Sequence, residues 1–127
     1  MGTPAGSPGG VIVEVDDRVA VLTIDRPEVR NAIGLATIDE LDAALDGILE
    51  TDPAVLVVRG GGARAFVSGG DLNELRVIRT HAQAVDMARR VRRVLDRMAA
   101  FPVPVIAALN GHAVGGGAEV AIAADLR

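Results

Sequence analysis

The sequence switches periodicity repeatedly along its length, and that alternation constrains the fold more than any other feature. Short runs rich in valine and isoleucine, at residues 11–15, 18–25, 54–58 and 103–109, are separated by longer segments whose apolar residues recur every three or four positions. The short runs suit strands, and the longer pattern suits helices with one apolar face. The first two runs meet at Asp16-Asp17 and read as a hairpin with at least one strand covered on both faces; Arg26-Pro27 closes it, because proline cannot donate to a ladder. Residues 37–51 place Ile38, Leu41, Leu45, Ile48 and Leu49 on one helical face, with Thr37 and Glu40 spaced as a capping box and Asp52-Pro53 as the stop. Residues 54–58 and 103–109 read as buried strands, and residues 65–67 as a short extended piece. A short helix is predicted from Asp71 through Ile78. A long one is predicted over residues 80–100, with Val85, Ala88, Val91, Leu95 and Met98 as its apolar stripe. The arginines between Arg89 and Arg97 lie around the rest of that helix and read as a solvated face rather than a phosphate site. Residues 115–123 form a last helix, and residues 125–127 resemble the start of another strand. Strands alternating with helices predict an α/β layer fold with parallel pairing.

Composition removes several chemistries. The 127 residues include no cysteine and no lysine, and all thirteen basic residues are arginine. Disulfide frames, thiol nucleophiles, thiolate zinc sites, Schiff-base lysines and lysine-dependent phosphate loops are excluded. His81 and His112 lack metal-binding spacing, so no metal ligand is assigned, and His112 reads as a structural or loop histidine. Phe66 and Phe101 are the only aromatic residues and the net charge is −4, so nucleic acid is not an expected partner. No stretch offers the roughly 18 uncharged apolar residues of a membrane span. Residues 1–10 lack the basic and apolar regions of a signal peptide, so a soluble, cytoplasmic protein is expected. Those ten residues, rich in Gly, Pro, Ser and Thr, are expected to be a disordered leader, with residues 11–127 as the domain. The apolar run from Val120 to Leu126 carries no polar tail, which suggests part of a longer protein; a complete small domain with an inward-packed last helix is the other reading.

Two glycine-rich turns, Ser68-Gly69-Gly70-Asp71 and Gly115-Gly116-Gly117, each follow a strand and open a helix. A helix N-terminus presents unpaired N–H groups and partial positive charge, and glycine allows a ligand to approach that backbone. Two such groups aimed at one point make an oxyanion hole. Either turn alone also reads as a flexible surface loop. Glu119 lies one turn inside the last helix, among Ala118, Val120, Ala121, Ile122 and Ala123. In apolar company its carboxylate would hold a proton near neutral pH; pointing outward, it would be an ordinary solvated side chain. Ser68 is not a nucleophile elbow, because Phe66 occupies the position of that motif's first glycine.

Three signatures occur in order. The first is Thr23-Ile24-Asp25-Arg26-Pro27 with Arg30-Asn31-Ala32. The second is Ala65-Phe66-Val67-Ser68-Gly69-Gly70-Asp71-Leu72. The third runs from Pro104 to Gly111 and on into Gly115-Gly116-Gly117-Ala118-Glu119 and Ala124-Asp125-Leu126-Arg127. With them the chain resembles, over residues 11–127, the N-terminal half of the crotonase superfamily, the enoyl-CoA hydratase/isomerase family. The resemblance implies a ββα spiral core, truncated before the C-terminal helical region that builds trimers and hexamers. It implies an acyl-CoA thioester as substrate, with coenzyme A part of the substrate and no separate cofactor. By motif position the oxyanion donors are the backbone N–H groups of Gly70 and Gly116, with Gly70 standing where the family usually carries alanine. Glu119 falls on one of two catalytic glutamates, the second of which lies roughly twenty residues further on in family hydratases. Gly70, Asp71, Leu72, Asn73 and Gly116 would line the acyl channel. Arg30 and Ala32 would touch the CoA moiety, Arg30 at a phosphate. The implied activity is hydration of a 2-enoyl-CoA to a 3-hydroxyacyl-CoA. An isomerase or decarboxylase using the same enolate is the alternative, and a non-catalytic acyl-CoA-binding chain is the alternative of another class.

Overall fold

A computed structural model of the chain describes residues 6–127. Strands β1 (Val11–Asp16) and β2 (Val19–Ile24) form the predicted antiparallel hairpin. Its turn is centred one residue later than expected, on Asp17 and Arg18, both left-handed with φ 43° and 67°, as a tight two-residue hairpin requires. A 3-10 turn at Pro27–Val29 leads to helix α1 (Leu35–Glu50) and strands β3 (Val55–Gly60) and β4 (Ala65–Val67). Next come the short helix α2 (Leu72–Leu75) and the long helix α3 (His81–Ala99). Strands β5 (Val105–Ala108) and β6 (His112–Ala113) precede helix α4 (Gly116–Ala123). The main sheet has the order β1-β2-β3-β5, with β2, β3 and β5 parallel, while β4 and β6 pair in parallel as a second sheet. The β3–β4 and β5–β6 pairs each give one strand to each sheet before a helix, which is the ββα repeat that the resemblance implies. The strand predicted at residues 125–127 is reduced to a bridge from Leu126 to Ile106, with Ala107 N–H donating to the Leu126 carbonyl at 2.8 Å.

Strands β2 and β3 bury one face fully, not two as expected, whereas all three residues of β4 are buried. Along β2, Ala20, Leu22 and Ile24 are buried while Val19 is exposed; along β3, Leu56 and Val58 are buried and Arg59 is exposed. The buried face packs with Ile38, Leu41, Leu45 and Ile48 of α1, Val94 and Met98 of α3, and Val120 and Ala121 of α4. The predicted α3 stripe holds at its C-terminal end, where Met98 is buried and Val91 and Leu95 pack against the core; Val94, not anticipated, joins it, and Ala88 is exposed. Helix α2 ends at Leu75, short of the predicted Ile78.

The predicted capping box on α1 does not form. Thr37 is fully buried inside the helix, its Oγ1 accepting from Gly34 N–H at 3.3 Å, and the N-cap is Gly34. The Leu35 N–H is capped from a distance by Glu74 Oε2 at 2.6 Å. Glu40 is used elsewhere: its carboxylate accepts from Ser7 Oγ at 2.9 Å, Gly9 N–H at 2.8 Å and Val11 N–H at 3.1 Å. The leader expected to stay outside the fold therefore joins it from Ser7, and Gly9 and Gly10 are buried; residues 1–5 of that expectation lie outside the described residues.

Three of the α3 arginines are partners of α1, while Arg89 and Arg92 stay on the expected solvated face. Arg90 pairs with Asp39, Arg93 with Asp42, and Arg97 with both Asp42 and Asp46, clasping α3 to α1. Burial by itself would raise the Asp42 carboxyl; the Arg97 hydrogen bond and charge, with Arg93 beside them, outweigh it and hold the group below its ordinary 3.8. A carboxyl depressed by folding contributes stability above its unfolded value, near 3.8, and loses that contribution as pH falls through the lower folded value. Wild type should therefore melt higher than Asp42→Asn at neutral pH. The gap should close as the pH is taken well below 3.8 in a series of thermal melts, and an undiminished gap there would remove the charge as its cause.

Candidate functional site

Strand β4 ends at Val67, and the following turn is held by backbone bonds to the segment after β2. Ser68 N–H donates to the Arg30 carbonyl at 3.1 Å, Ile33 N–H to Gly69 O at 2.7 Å, and Asp71 N–H to Ile33 O at 2.9 Å. Ile33 and Gly70 thus form an isolated parallel bridge in which the residues flanking Gly70 make both bonds. In that geometry the N–H of Gly70 itself points away from Ile33. Gly115 (φ 56°) turns the chain from β6 into α4, so that Gly116 is the first residue of the helix and its N–H has no intrahelical partner. Neither the Gly70 nor the Gly116 N–H donates to a backbone acceptor among the described residues.

The two turns lie against each other. A Cβ built on Gly116 would sit 3.8 Å from Gly70 N, and one built on Gly69 would sit 3.7 Å from Gly116 N. This approach depends on Gly117, where a Cβ would collide with the Val67 carbonyl group and lie 3.0 Å from the Val67 Cβ. Gly70 is different: a Cβ there would meet only the end of the Leu75 side chain, at 3.3 Å.

A groove of about 630 Å³ opens at these amides. Gly70, Asp71, Leu72, Asn73, Gly116, Arg30 and Ala32, all anticipated from the sequence, line it together. Glu119 does not line it. It lies one turn along α4 with its side chain exposed, while Val120 and Ala121 beside it are buried, so the outward reading of this carboxylate is the one observed. Asp71 lines the groove with both carboxylate oxygens already engaged: Oδ1 accepts from Asn73 N–H at 2.9 Å and Oδ2 pairs with Arg26 at 3.5 Å. Arg64 and Leu75 also line the groove and were not anticipated. Arg64 also shares a smaller adjoining cavity of about 300 Å³ with Arg30, and neither arginine takes part in an ion pair among the described residues. The only sequence signal for Arg64 was its place one residue ahead of β4. No group of three or more metal-ligating side chains converges among the described residues, and no helix there is long and apolar enough to cross a membrane.

The groove rests on Asn31. It is fully buried in the left-handed conformation (φ 57°), and its amide reaches three chain segments. Oδ1 accepts from Arg26 N–H at 2.8 Å, and Nδ2 donates to the carbonyls of Gly61 and Ala65, each at 2.9 Å. Asn110 does parallel work from the other side, accepting from Gly60 N–H at 2.9 Å and donating to Gly62 O and Ala65 O at 3.0 Å.

Comparison with known proteins gives one consistent result. A family model described as enoyl-CoA hydratase/isomerase matches residues 14–127. The chain is 39% identical over 119 residues to a short-chain-enoyl-CoA hydratase of Clostridium acetobutylicum, covering 92% of this chain and 45% of that protein. It is 35% identical to a crotonyl-CoA hydratase of Syntrophomonas wolfei at the same coverage. Among solved structures, an enoyl-CoA hydratase from Thermoplasma volcanium superposes with a TM-score of 0.87 at 31% identity, covering 93% of this chain and 47% of that one. The enoyl-CoA hydratase from Bacillus anthracis gives 0.85 at 31%, covering 91% and 45%. The chain spans about half the length of the relatives it matches.

The glycine geometry predicts opposite responses to one methyl group. Gly70→Ala should fold with unfolding free energy within about 1 kcal/mol of wild type, since Leu75 can yield, whereas Gly117→Ala should lose about 2–3 kcal/mol or more by overpacking. Asn31→Asp keeps a residue that tolerates the left-handed conformation but sets a carboxylate against two carbonyls, and should cost about 3 kcal/mol or more. Urea titrations of the three variants check both statements.

Proposed function

The chain belongs to the enoyl-CoA hydratase/isomerase family, and on that premise we propose that its groove binds an acyl-CoA thioester and stabilises the thioester enolate. The observation that carries this reading is the pair of adjacent, unpartnered backbone N–H groups of Gly70 and Gly116 at the head of the groove. Charge that develops on the thioester oxygen would meet two donors whose direction is set by folding, and each such donor is typically worth about 2.7–4 kcal/mol in the transition state. Leu72 and Leu75 offer apolar wall to the acyl chain, while Arg30 and Arg64 offer cationic partners to phosphate groups at the other end. No separate cofactor enters the reading.

The reaction proposed is hydration of a 2-enoyl-CoA. The water oxygen bonds to C3, the C2–C3 π pair moves to the thioester as an enolate, and a proton returns to C2 to give the 3-hydroxyacyl-CoA. Glu119, on the first turn of the helix that carries Gly116, would exchange protons with the attacking water. The family's trimeric or hexameric assembly belongs to the same proposal, and native mass measurement tests it.

A second reading follows from one observation: Glu119 stands outside the groove lining. An acyl-CoA-binding chain without catalysis fits that placement. The deciding assay follows the enone absorbance of crotonyl-CoA with the whole protein that contains this chain, beside its Glu119→Gln variant. Enzymatic hydration predicts substrate loss that falls at least a hundredfold in the variant. Unaltered activity in the variant would remove Glu119 from the mechanism. Thermal stabilisation by CoA esters with no turnover would leave the binding reading alone.

A further inference from the structure

Arg26 closes β2 and was read from the sequence as part of a strand end, yet its guanidinium is turned inward and is committed at both ends of its fork. Nη1 donates to the Ala32 carbonyl at 2.5 Å, and Nη2 reaches Asp71 Oδ2 at 3.5 Å. The arginine and aspartate side chains are only 19% and 15% exposed. Its stem is confined as well, because Gly10 lies so close that a Cβ there would collide with the Arg26 Cγ. Its own backbone N–H and carbonyl are tied to Asn31, through Asn31 Oδ1 at 2.8 Å and Asn31 N–H at 2.8 Å.

The two contacts bracket the element that orients the first proposed oxyanion donor. Ala32 immediately precedes Ile33, and Asp71 immediately follows Gly70; Ile33 and Gly70 are the two residues of the isolated bridge. The bridge has only two backbone bonds, Ile33 N–H to Gly69 O and Asp71 N–H to Ile33 O; the one other backbone bond between the two segments, Ser68 N–H to the Arg30 carbonyl at 3.1 Å, lies before Gly69, and none follows Asp71. Rotation of the Gly69–Gly70 peptide, with Gly69 at φ 119°, would swing the Gly70 N–H out of the groove. A guanidinium that grips the backbone on one side of the bridge and a carboxylate on the other opposes that rotation, because its planar fork holds both partners in one geometry. We propose that Arg26 is a positioning residue that, through the Ala32 carbonyl and Asp71, fixes the direction of the Gly70 N–H. The role of that N–H as an oxyanion donor rests on the proposed function; the clamp itself does not.

The test uses the whole protein that contains this chain, labelled with ¹⁵N, as wild type, Arg26→Gln and Asp71→Asn. Without ligand, amide hydrogen exchange at Ile33 and Asp71 should accelerate at least tenfold in both variants, while Leu56, bonded to the Pro104 carbonyl inside the main sheet, keeps its wild-type rate. Unchanged exchange at Ile33 and Asp71 in either variant overturns the clamp, and so does an equal acceleration at Leu56, which would mean general loosening. Titration with acetoacetyl-CoA, an enolisable thioester, then reads the donors directly. In wild type both the Gly70 and Gly116 amide resonances should shift. In the variants the Gly70 response should fall by at least half while that of Gly116 persists, and parallel loss of both overturns the positioning role. Absence of any shift in the wild type would count against the thioester reading of the groove, with the exchange rates still deciding the clamp.

Discussion

The buried amide of Asn31 is the contact on which the arrangement of the groove depends. It joins the residues just after β2 to the β3–β4 connection some thirty residues on, bonding Arg26 on one side and Gly61 and Ala65 on the other. Without it the Arg26 N–H and the Gly61 carbonyl would lose this partner, while the Ala65 carbonyl would keep only its bond from Asn110, and low local dielectric makes a buried unpaired polar group costly. A single side chain with one acceptor and two donors satisfies one N–H and two carbonyls at once. Its left-handed backbone, following left-handed Arg30, also sets where the chain goes next: Ala32 and Ile33 are delivered alongside the Gly69–Asp71 turn. The site is thus built outward from a satisfied polar core.

Around that point the remaining geometry comes from close backbone approach and from helix placement. Helix α4 can start beside the β4 turn because Gly117 presents no side chain to Val67. Helix α3 reaches the same core through Val94 and Met98, and its height over α1 is set by the arginine–aspartate clasp along Asp39, Asp42 and Asp46. The acidic spacing on α1 and the basic spacing on α3 are each one helical turn, so the pairs stack in register and favour one alignment of the two helices.

Much of this was legible in the sequence. The alternation of short β-branched runs with helical periods located the main-sheet strands and the longer helices within a few residues, and the two glycine turns marked the amides that the fold brings together. What was missed has identifiable physical causes. Strand β6 is two residues long and has no periodicity. Glu40 and Thr37 have capping-box spacing, but the helix starts earlier: Thr37 is its third residue and accepts from the N-cap Gly34, while Glu40 is taken by Gly9 and Val11 at the start of β1. On α3 the predicted stripe missed Val94 and included the exposed Ala88, because only the C-terminal part of the helix lies over the core. The positions of Arg26 at the end of β2 and of Arg64 ahead of β4 do not tell what their side chains do, since a lone arginine has the same appearance whether it faces solvent, a groove or a carbonyl. Glu119 was open between two orientations, and only the buried Val120 and Ala121 beside it resolve which side of α4 faces the core.

On the proposed reading the two groups that meet the thioester oxygen are main-chain amides, which every residue except proline possesses. A saturation map of tolerated substitutions would therefore invert the usual pattern for a reactive site. Gly70, at the head of the groove, would read as permissive for small side chains, and intolerance would concentrate in residues with no ligand contact, Asn31 and Gly117 foremost, because they determine where the backbone runs. In such a protein the chemistry is stored as a path of the chain, and its ancestry would be traced through buried asparagine and close-packed glycine rather than through the identity of any group that meets the ligand.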